Sequence, residues 1–221
     1  MSTRSVIKAL EAYTSCDVAD ALSKLKVPHG GFLAGLTMWS PKRQEGSAKI
    51  VGPAYTVRQC WVLMMWQIDS IPSGAVIFIS APARLINACY GGLMSTRAQY
   101  SGAVGTIVDG RLRDMQEHRD LNFPVFARDV GTTAPAETMR VAAINEPVRL
   151  NSEDQDAVIR PGDILVGDIN GVVCIPQELA EKVIELIPSQ VEADEKVAAD
   201  IKKGRPVAEA MKEHRAGVKK P

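Results

Sequence analysis

An uninterrupted apolar run, A-V-I-F-I-S, occupies residues 75–80 and directly follows a turn signal, P-S-G. A run of this length bounded by a turn is typical of a β-strand. Because it does not alternate between apolar and polar residues, both faces of the strand need cover, as in sheets flanked by helices. The S-A-P-A-R segment that follows lies at the strand's carboxyl end, where loops commonly meet a ligand. These residues predict a fold of mixed strands and helices.

Apolar periodicity and turn residues place further elements on both sides of this strand. They predict helices at 5–25, 59–68, 177–203 and 207–215, and strands at 50–58, 106–108, 123–127, 140–150, 164–167 and 172–175. Thr14 or Ser15 caps a second helix within the first segment, and Pro188 breaks or kinks the long C-terminal helix. The chain shows no internal repeat and no long linker, so we expect one domain.

Residues 90–117 carry the densest chemistry in the chain. Gly91 and Gly92 open a helix-like run, and glycines there allow a bound group to come close to the free amides of the first turn. The amides of Gly91, Gly92, Leu93 and Met94 are therefore candidate ligands for a small carboxylate or phosphate. Arg113 follows the next strand and offers a planar, two-pronged donor to the same anion.

Asp114 and Glu117 lie three residues apart, so both carboxylates share one face if a helical turn begins at Asp114. Two carboxylates with water suit a hard divalent cation such as magnesium or manganese. Residue chemistry alone leaves a second interpretation open, because a glycine pair is often only a turn and an Arg-Asp pair is often a solvated surface turn. The convergence of an arginine, two acids and free amides favours the site.

Composition excludes several other functions. Lys+Arg and Asp+Glu are equal at 26 each, so no overall charge favours nucleic acid or a membrane surface. Aromatic residues make up only 5%, which argues against stacking platforms for single-stranded nucleic acid. The four cysteines and three histidines show no zinc-site spacing. No secretion signal and no apolar run long enough for a membrane span is visible, so the expected location is the cytoplasm.

The central stretch resembles the class II pyruvate aldolases that cleave 4-hydroxy-4-methyl-2-oxoglutarate, a family that also contains proteins named regulator of ribonuclease E activity A. The family's usual pattern is an acidic or amide residue, twenty residues, then Arg-Asp. Here Gly92 precedes twenty residues, Arg113-Asp114, two more residues and Glu117. This matches a second pattern in which glycine comes first and Glu117 replaces the missing acid. The segments G-T-I-V-D-G, F-P-V-F-A-R and the late P-G-D-I-L-V-G-D-I-N-G-V-V-C-I-P also fit the family.

The resemblance implies a single layered ββα-type domain over residues 1–221, similar to the swivelling phosphohistidine domain, with a mixed-sheet or barrel-like core and outer helices. It also implies a homotrimer or a homohexamer, with the C-terminal helices 177–215 at a subunit interface. A glutamate at the place of Glu195 reaches the site of an adjacent subunit in this family, whereas spacing alone makes Glu195 a surface acid.

The activity implied is a metal-dependent aldolase that releases pyruvate from a 4-hydroxy-2-oxo acid and also decarboxylates oxaloacetate. Arg113 and Glu117 are the expected catalytic residues, and Asp114, Glu117 and Glu195 the expected magnesium or manganese ligands. The partner is a small 2-oxo acid, with no nucleic acid and no membrane. Two alternatives stay open, a non-catalytic regulator that binds ribonuclease E-type machinery and an aldolase for another small 2-oxo acid.

Three further charged residues keep two interpretations each. Asp17 and Asp20 match an S-x-x-x-x-D-A-L pattern near the start of family members, but acids in a first helical turn are commonly caps and dipole partners. Arg128 is a second candidate anion ligand, in the loop predicted to follow the strand at 123–127.

Overall fold

The computed structural model describes residues 1–61, 70–135 and 139–218. Its contacts divide the chain into two compact units. The helical unit comprises Met1–Gly31 and Glu178–Pro221, and the barrel unit comprises Phe32–Gln177. The expectation of one domain, with the C-terminal helices at a subunit interface, stays a prediction.

The barrel unit is built on a mixed sheet of nine strands among the described residues. They are β1 (Thr37–Ser40), β2 (Ile50–Trp61), β3 (Val76–Ser80), β4 (Ala88–Tyr90), β5 (Gly105–Leu112), β6 (Val125–Val130), β7 (Met139–Ile144), β10 (Ile164–Asp168) and β11 (Gly171–Ile175). The main path runs β1-β6-β5-β3-β2-β10-β11, while β4 pairs with β5 and β7 with β2. A separate two-stranded ribbon joins β8 (Val148–Arg149) to β9 (Val158–Ile159).

The path nearly closes into a barrel. Phe32, five residues before β1, bridges Val173 on β11, and the Leu33 amide donates to the Val172 carbonyl at 2.9 Å. Strands β2, β3, β5 and β6 are parallel to their neighbours within this group, whereas β1, β7, β10 and β11 pair antiparallel. The predicted α/β fold with a mixed-sheet, barrel-like core and outer helices is confirmed.

The apolar run at 75–80 occupies the centre of this sheet. Every residue of β3 is buried, because alternate side chains enter two separate apolar clusters. One cluster contains Val76, Phe78, Ile107 and Phe126, and the other contains Ile77, Ile79 and Val108. The second cluster also takes Ala98 from helix α3 (Gly92–Tyr100) and packs against Met115 of helix α4 (Met115–Asp120). Both helices therefore lie on the outer face of the sheet.

The helical unit contains α1 (Thr3–Leu10), α2 (Ser15–Lys24), a 3₁₀ turn at Pro28–Gly31, α5 (Ala180–Lys202) and α6 (Val207–His214); a second 3₁₀ turn, Gln177–Leu179, precedes α5. Thr14 caps α2 in a reciprocal capping box with Asp17. The Gln190 amide donates to Asp20 at 2.7 Å and so ties α5 to α2. Asp17 thus has the capping role that acids commonly take at a helix start, whereas Asp20 accepts a hydrogen bond from another helix.

Several predicted elements differ from the structure. The predicted strand at 106–108 extends over Gly105–Leu112, and that at 140–150 is divided between β7 and β8. Gln59–Trp61 continue strand β2 instead of starting a helix, because they pair with β7; the rest of that predicted helix, 62–68, lies outside the described residues. Strand β6 extends to Val130, so Arg128 lies in a strand and not in a loop. Helix α5 runs through Pro188 without a break. Among the described residues, no helix has both the length and the apolarity to cross a membrane.

Candidate functional site

The site forms where β4 turns into α3. We call residues Gly91–Met94 the glycine corner. The Gly92 amide donates to Asp114 Oδ2 at 3.1 Å, and the Met94 amide donates to the Gly91 carbonyl at 3.0 Å. Within the described chain, the Leu93 amide makes no hydrogen bond, and the Leu93 side chain is exposed. Of the three amides from Gly92 to Met94, that of Leu93 is therefore the one available to a ligand.

Asp114 reaches this corner through an unusual backbone conformation. It precedes α4 with φ 62° and ψ 44°, in the left-handed region that few non-glycine residues adopt. Its carboxylate does not cap its own helix, although an Asp before a helix usually does so. It binds the first amide of α3 instead. Strained residues of this kind concentrate at functional sites and persist only where neighbouring contacts hold them.

Glu117 packs directly on Gly92. An ideal Cβ added to Gly92 would lie 2.6 Å from both Cβ and Cδ of Glu117 and would overlap its Oε2. A Cβ on Gly91 would lie 2.5 Å from Asp114 Oδ2. Both carboxylates thus occupy the space that side chains at the two glycines would fill. Glycine is needed at both positions because only a residue without a side chain lets the two carboxylates come so close. The sequence predicted the same need for close approach, but for a bound carboxylate or phosphate.

Arg113 borders the Asp114 carboxylate. Its Nε lies 3.4 Å from Asp114 Oδ2, and its side chain is 39% exposed. Its two Nη groups make no hydrogen bond or ion pair with any described residue. A guanidinium held along one edge and open along the other can still bind a carboxylate with two parallel hydrogen bonds.

The donor set fits a hard divalent cation that keeps several waters. Asp114 and Glu117 supply carboxylate oxygens at one corner, the ligand type that magnesium and manganese prefer. Among the described residues no group of three or more His, Cys, Asp or Glu comes together as a ready-made metal cage. Magnesium is commonly held by one or two carboxylates, with water and substrate completing its shell. Two carboxylates are thus a ligand number that magnesium commonly takes from a protein.

A buried group of hydrogen-bonded side chains, which we call the hub, lies beside the main chain of Arg113. The sequence did not predict it. It consists of Tyr90, Ser95, Thr106 and His118, all at most 3% exposed. His118 Nε2 lies 2.7 Å from the Arg113 carbonyl oxygen, and Nδ1 lies 2.9 Å from Ser95 Oγ. The Tyr90 hydroxyl lies 3.0 Å from the hydroxyls of both Ser95 and Thr106. The Tyr90 ring stacks on the imidazole, with ring centroids 5.7 Å apart.

Burial shapes the protonation of this hub. It lowers the pKa of His118, so the neutral imidazole is favoured. A carbonyl oxygen only accepts, so Nε2 carries the proton and donates to Arg113. Burial also raises the pKa of Tyr90 to about 12, so its hydroxyl stays protonated. The sequence signal that could have revealed the hub is a histidine one residue after Glu117, on the apolar side of the helical turn.

Arg128 lies in a different environment from Arg113. Its Nε donates to Asp109 Oδ1 at 2.5 Å, and the backbone amide of Asn151 donates to Asp109 Oδ2 at 2.6 Å. Asp109 is buried, and burial raises its pKa, although Asn151 and Arg128 oppose that rise. Arg128 thus pairs with a buried acid of the protein itself. Its role as a second anion ligand stays a prediction.

Glu195 lies on α5 of the helical unit, and its side chain is exposed. Its role in the site of an adjacent subunit stays a prediction. The structure thus brings Gly91, Gly92, Arg113, Asp114 and Glu117 together at one corner of the barrel unit.

Comparison with known proteins gives the chain its relatives. It is 34% identical over 152 residues to a protein of Halalkalibacterium halodurans named as a candidate 4-hydroxy-4-methyl-2-oxoglutarate aldolase, covering 66% of this chain and 69% of that protein. It is 27% identical over 220 residues to protein DlpA of Legionella pneumophila, covering 95% of this chain. The match spans only 34% of DlpA.

A solved structure shares the fold. An uncharacterised protein of Pseudomonas syringae pv. tomato superposes with a TM-score of 0.81 and 28% identity, covering 94% of this chain and 96% of the other. The RraA-like family, described as Aldolase/RraA, matches residues 15–174, which include the whole glycine corner and the Arg113–Glu117 turn. The chain belongs to the RraA-like family.

Proposed function

We propose that this protein is a divalent-metal-dependent aldolase that cleaves 4-hydroxy-4-methyl-2-oxoglutarate or a related 4-hydroxy-2-oxo acid to pyruvate. It would also decarboxylate oxaloacetate. The observation that carries the proposal is the contact of both carboxylates with Gly92. The Asp114 carboxylate accepts the Gly92 amide at 3.1 Å, and Glu117 fills the space where a side chain of residue 92 would be. A relative named as a candidate aldolase of this type supports the same activity.

Substrate binding follows from the groups left open. The carboxylate of the 2-oxo acid would bind the free edge of the Arg113 guanidinium and the Leu93 amide. Asp114 and Glu117 would hold magnesium or manganese, with Glu195 of a neighbouring subunit as a further ligand in a homotrimer or homohexamer. When bound, such a cation acts as a Lewis acid that polarises the 2-oxo group.

The protein's own residues would then move one proton. In the aldol substrate, Glu117, directly or through one water, accepts the proton of the C4 hydroxyl while the C3–C4 bond breaks. The electron pair of that bond forms the enolate of pyruvate, whose developing negative charge Arg113 stabilises. Glu117 then returns the proton to C3. With oxaloacetate the same bond breaks with loss of carbon dioxide, and the enolate then takes a proton at C3 from water.

The test is pyruvate release from 4-hydroxy-4-methyl-2-oxoglutarate and from oxaloacetate, followed with a lactate dehydrogenase assay. We expect EDTA to abolish turnover, and added Mn²⁺ or Mg²⁺ to restore it. Arg113→Ala and Asp114→Asn should each reduce kcat/KM by about 100-fold or more, because each removes a charged contact. Both variants should keep the wild-type circular dichroism spectrum.

Arg111→Ala is the matched control. Arg111 lies near the end of β5, two residues before Arg113, but it pairs with Asp129 at 2.6 Å and makes no hydrogen bond or ion pair with the glycine corner. Its loss should leave turnover within about twofold of wild type. If no metal supports turnover of either substrate, the proposed aldolase and decarboxylase activities on them are wrong. The regulator alternative would then be favoured by binding to ribonuclease E-type machinery without catalysis.

A further inference from the structure

The main chain of Arg113 is held on both sides by the buried hub. Its amide donates to the Tyr90 carbonyl at 3.0 Å, and its carbonyl lies 2.7 Å from His118 Nε2. Tyr90 is also the residue that immediately precedes the glycine corner, and its ring stacks on His118. The corner and the turn that carries Asp114 therefore share one anchor. The His118 side chain is buried, and its bond to the Arg113 carbonyl is partly shielded from water, which strengthens it.

The bond from His118 fixes the peptide that joins Arg113 to Asp114. That peptide sets the orientation from which Asp114 enters the left-handed conformation, at φ 62°. A left-handed aspartate is strained and returns to an ordinary conformation unless its neighbours prevent it. If the Arg113 carbonyl were released, the Asp114 carboxylate would lose its register with the Gly92 amide.

We infer that His118 is a positioning residue, which holds the Arg113 carbonyl so that the Asp114 carboxylate stays on the Gly92 amide. It touches neither substrate nor cation in this arrangement. A histidine that served only to fill the core would need its ring for stacking on Tyr90, but no hydrogen bond to the main chain. The 2.7 Å bond to a carbonyl five residues earlier, at the turn itself, assigns a more specific role. Residues that orient a metal-binding carboxylate in this way commonly affect binding strongly without contacting the ligand.

Two substitutions separate the ring's two hydrogen bonds. In His118→Gln, the side-chain amide can reach the position of Nε2 and donate to the Arg113 carbonyl. In His118→Asn, the shorter side chain can reach only the position of Nδ1, beside Ser95 Oγ. Tyr90→Phe is the matched control, because it keeps the stacked ring and the Tyr90 carbonyl but removes the hydroxyl contacts with Ser95 and Thr106.

The first measurement is hydrogen exchange of the Gly92 amide by NMR in metal-free protein, since this amide donates to Asp114. In His118→Asn we expect its exchange to accelerate about tenfold or more relative to wild type. The Val108 amide, in the centre of β5, reports global opening and serves as the internal reference. In His118→Gln and Tyr90→Phe, the ratio of Gly92 to Val108 exchange should stay within about twofold of wild type.

The second measurement is Mn²⁺ affinity by calorimetry, which rests on the proposed function. His118→Asn should weaken binding about 10- to 100-fold, and His118→Gln should restore most of it. If the exchange ratio in His118→Asn equals that of wild type, the positioning role is wrong, whatever the metal result. If the ratio rises but wild-type protein binds no Mn²⁺, the positioning role stands and the metal-dependent function fails.

Discussion

Replacing Gly92 by alanine tests whether α3 and α4 pack closely because residue 92 has no side chain. The added Cβ would lie 2.6 Å from Glu117 Cβ and 2.6 Å from Glu117 Cδ. Carbon atoms in contact need about 3.5–4.0 Å, so the helices must separate locally by about 1 Å. A change of rotamer cannot relieve the overlap, because Glu117 Cβ is attached directly to the backbone of α4.

The expected loss of stability follows from two opposing terms. Forcing an extra methyl group into a packed contact costs about 1–3 kcal/mol. Alanine has the better helix propensity, which returns less than about 1 kcal/mol at a first helical position. We therefore expect the free energy of unfolding to fall by about 1–2 kcal/mol. For a chain of this size, each kcal/mol lowers Tm by about 2–4 °C.

Urea unfolding and Mn²⁺ titration measure the two consequences separately. Gly92→Ala should lose stability and also bind Mn²⁺ at least about tenfold more weakly, because Glu117 is displaced from the corner. Adding Glu117→Gly removes the overlap between the Cβ atoms, so the double variant should be more stable than the two single effects predict. Its Mn²⁺ affinity should stay low, because one carboxylate is gone.

Gly217→Ala is the control, since nothing lies within 4 Å of the Cβ it would add. It should match the wild-type protein in both measurements. The reasoning is refuted if Gly92→Ala is as stable as Gly217→Ala and binds Mn²⁺ equally well. Glu117 would then not be packed against residue 92, and the proposed pair of carboxylates would be lost with it.

Two further predictions concern buried acids away from the corner. Arg128→Met should lower the free energy of unfolding by about 3 kcal/mol, because it leaves the buried Asp109 charge without its partner; adding Asp109→Asn should recover much of this, and urea unfolding of both variants decides it. Burial raises the pKa of Asp163 from 3.8, so the folded state binds the proton more tightly and loses stability as pH rises through the raised pKa. Asp163→Asn lacks this titration, so its Tm relative to that of wild type should rise across that interval, as measured at successive pH values.

Much of the barrel unit could be predicted from short stretches of the sequence. The glycine pair, the strand before Arg113 and the helical turn after it are each specified by a few consecutive residues, so their existence could be predicted from the sequence. Strand lengths could not. β5 continues four residues past Val108, to Leu112, because β4 and β6 offer it hydrogen-bonding partners there. Gln59–Trp61 form strand for the same reason, through pairing with β7.

The sequence predicted the charged residues of the site but not the buried residues that hold them in place. Arg113, Asp114 and Glu117 are consecutive or nearly so, and their spacing on a turn already places them together. His118 gives no such signal, because its partner is a backbone carbonyl whose position depends on the left-handed turn at Asp114. Arg128 gave an ambiguous signal, because its partner Asp109 lies on a neighbouring strand nineteen residues earlier.

The conformation of Asp114 argues that this corner is more than a well-packed turn. An aspartate that only started α4 would adopt an extended conformation and cap that helix, which stabilises a helix by about 1 kcal/mol. Asp114 does neither, and it adopts a left-handed backbone that costs roughly 1–3 kcal/mol. What it gains is one hydrogen bond to Gly92, worth about 1.5–3 kcal/mol for a charged acceptor, and a partly exposed ion pair with Arg113, worth at most about 1 kcal/mol. Stability alone therefore does not favour this arrangement over a simple cap, whereas a site that needs a carboxylate beside Glu117 and Arg113 requires it.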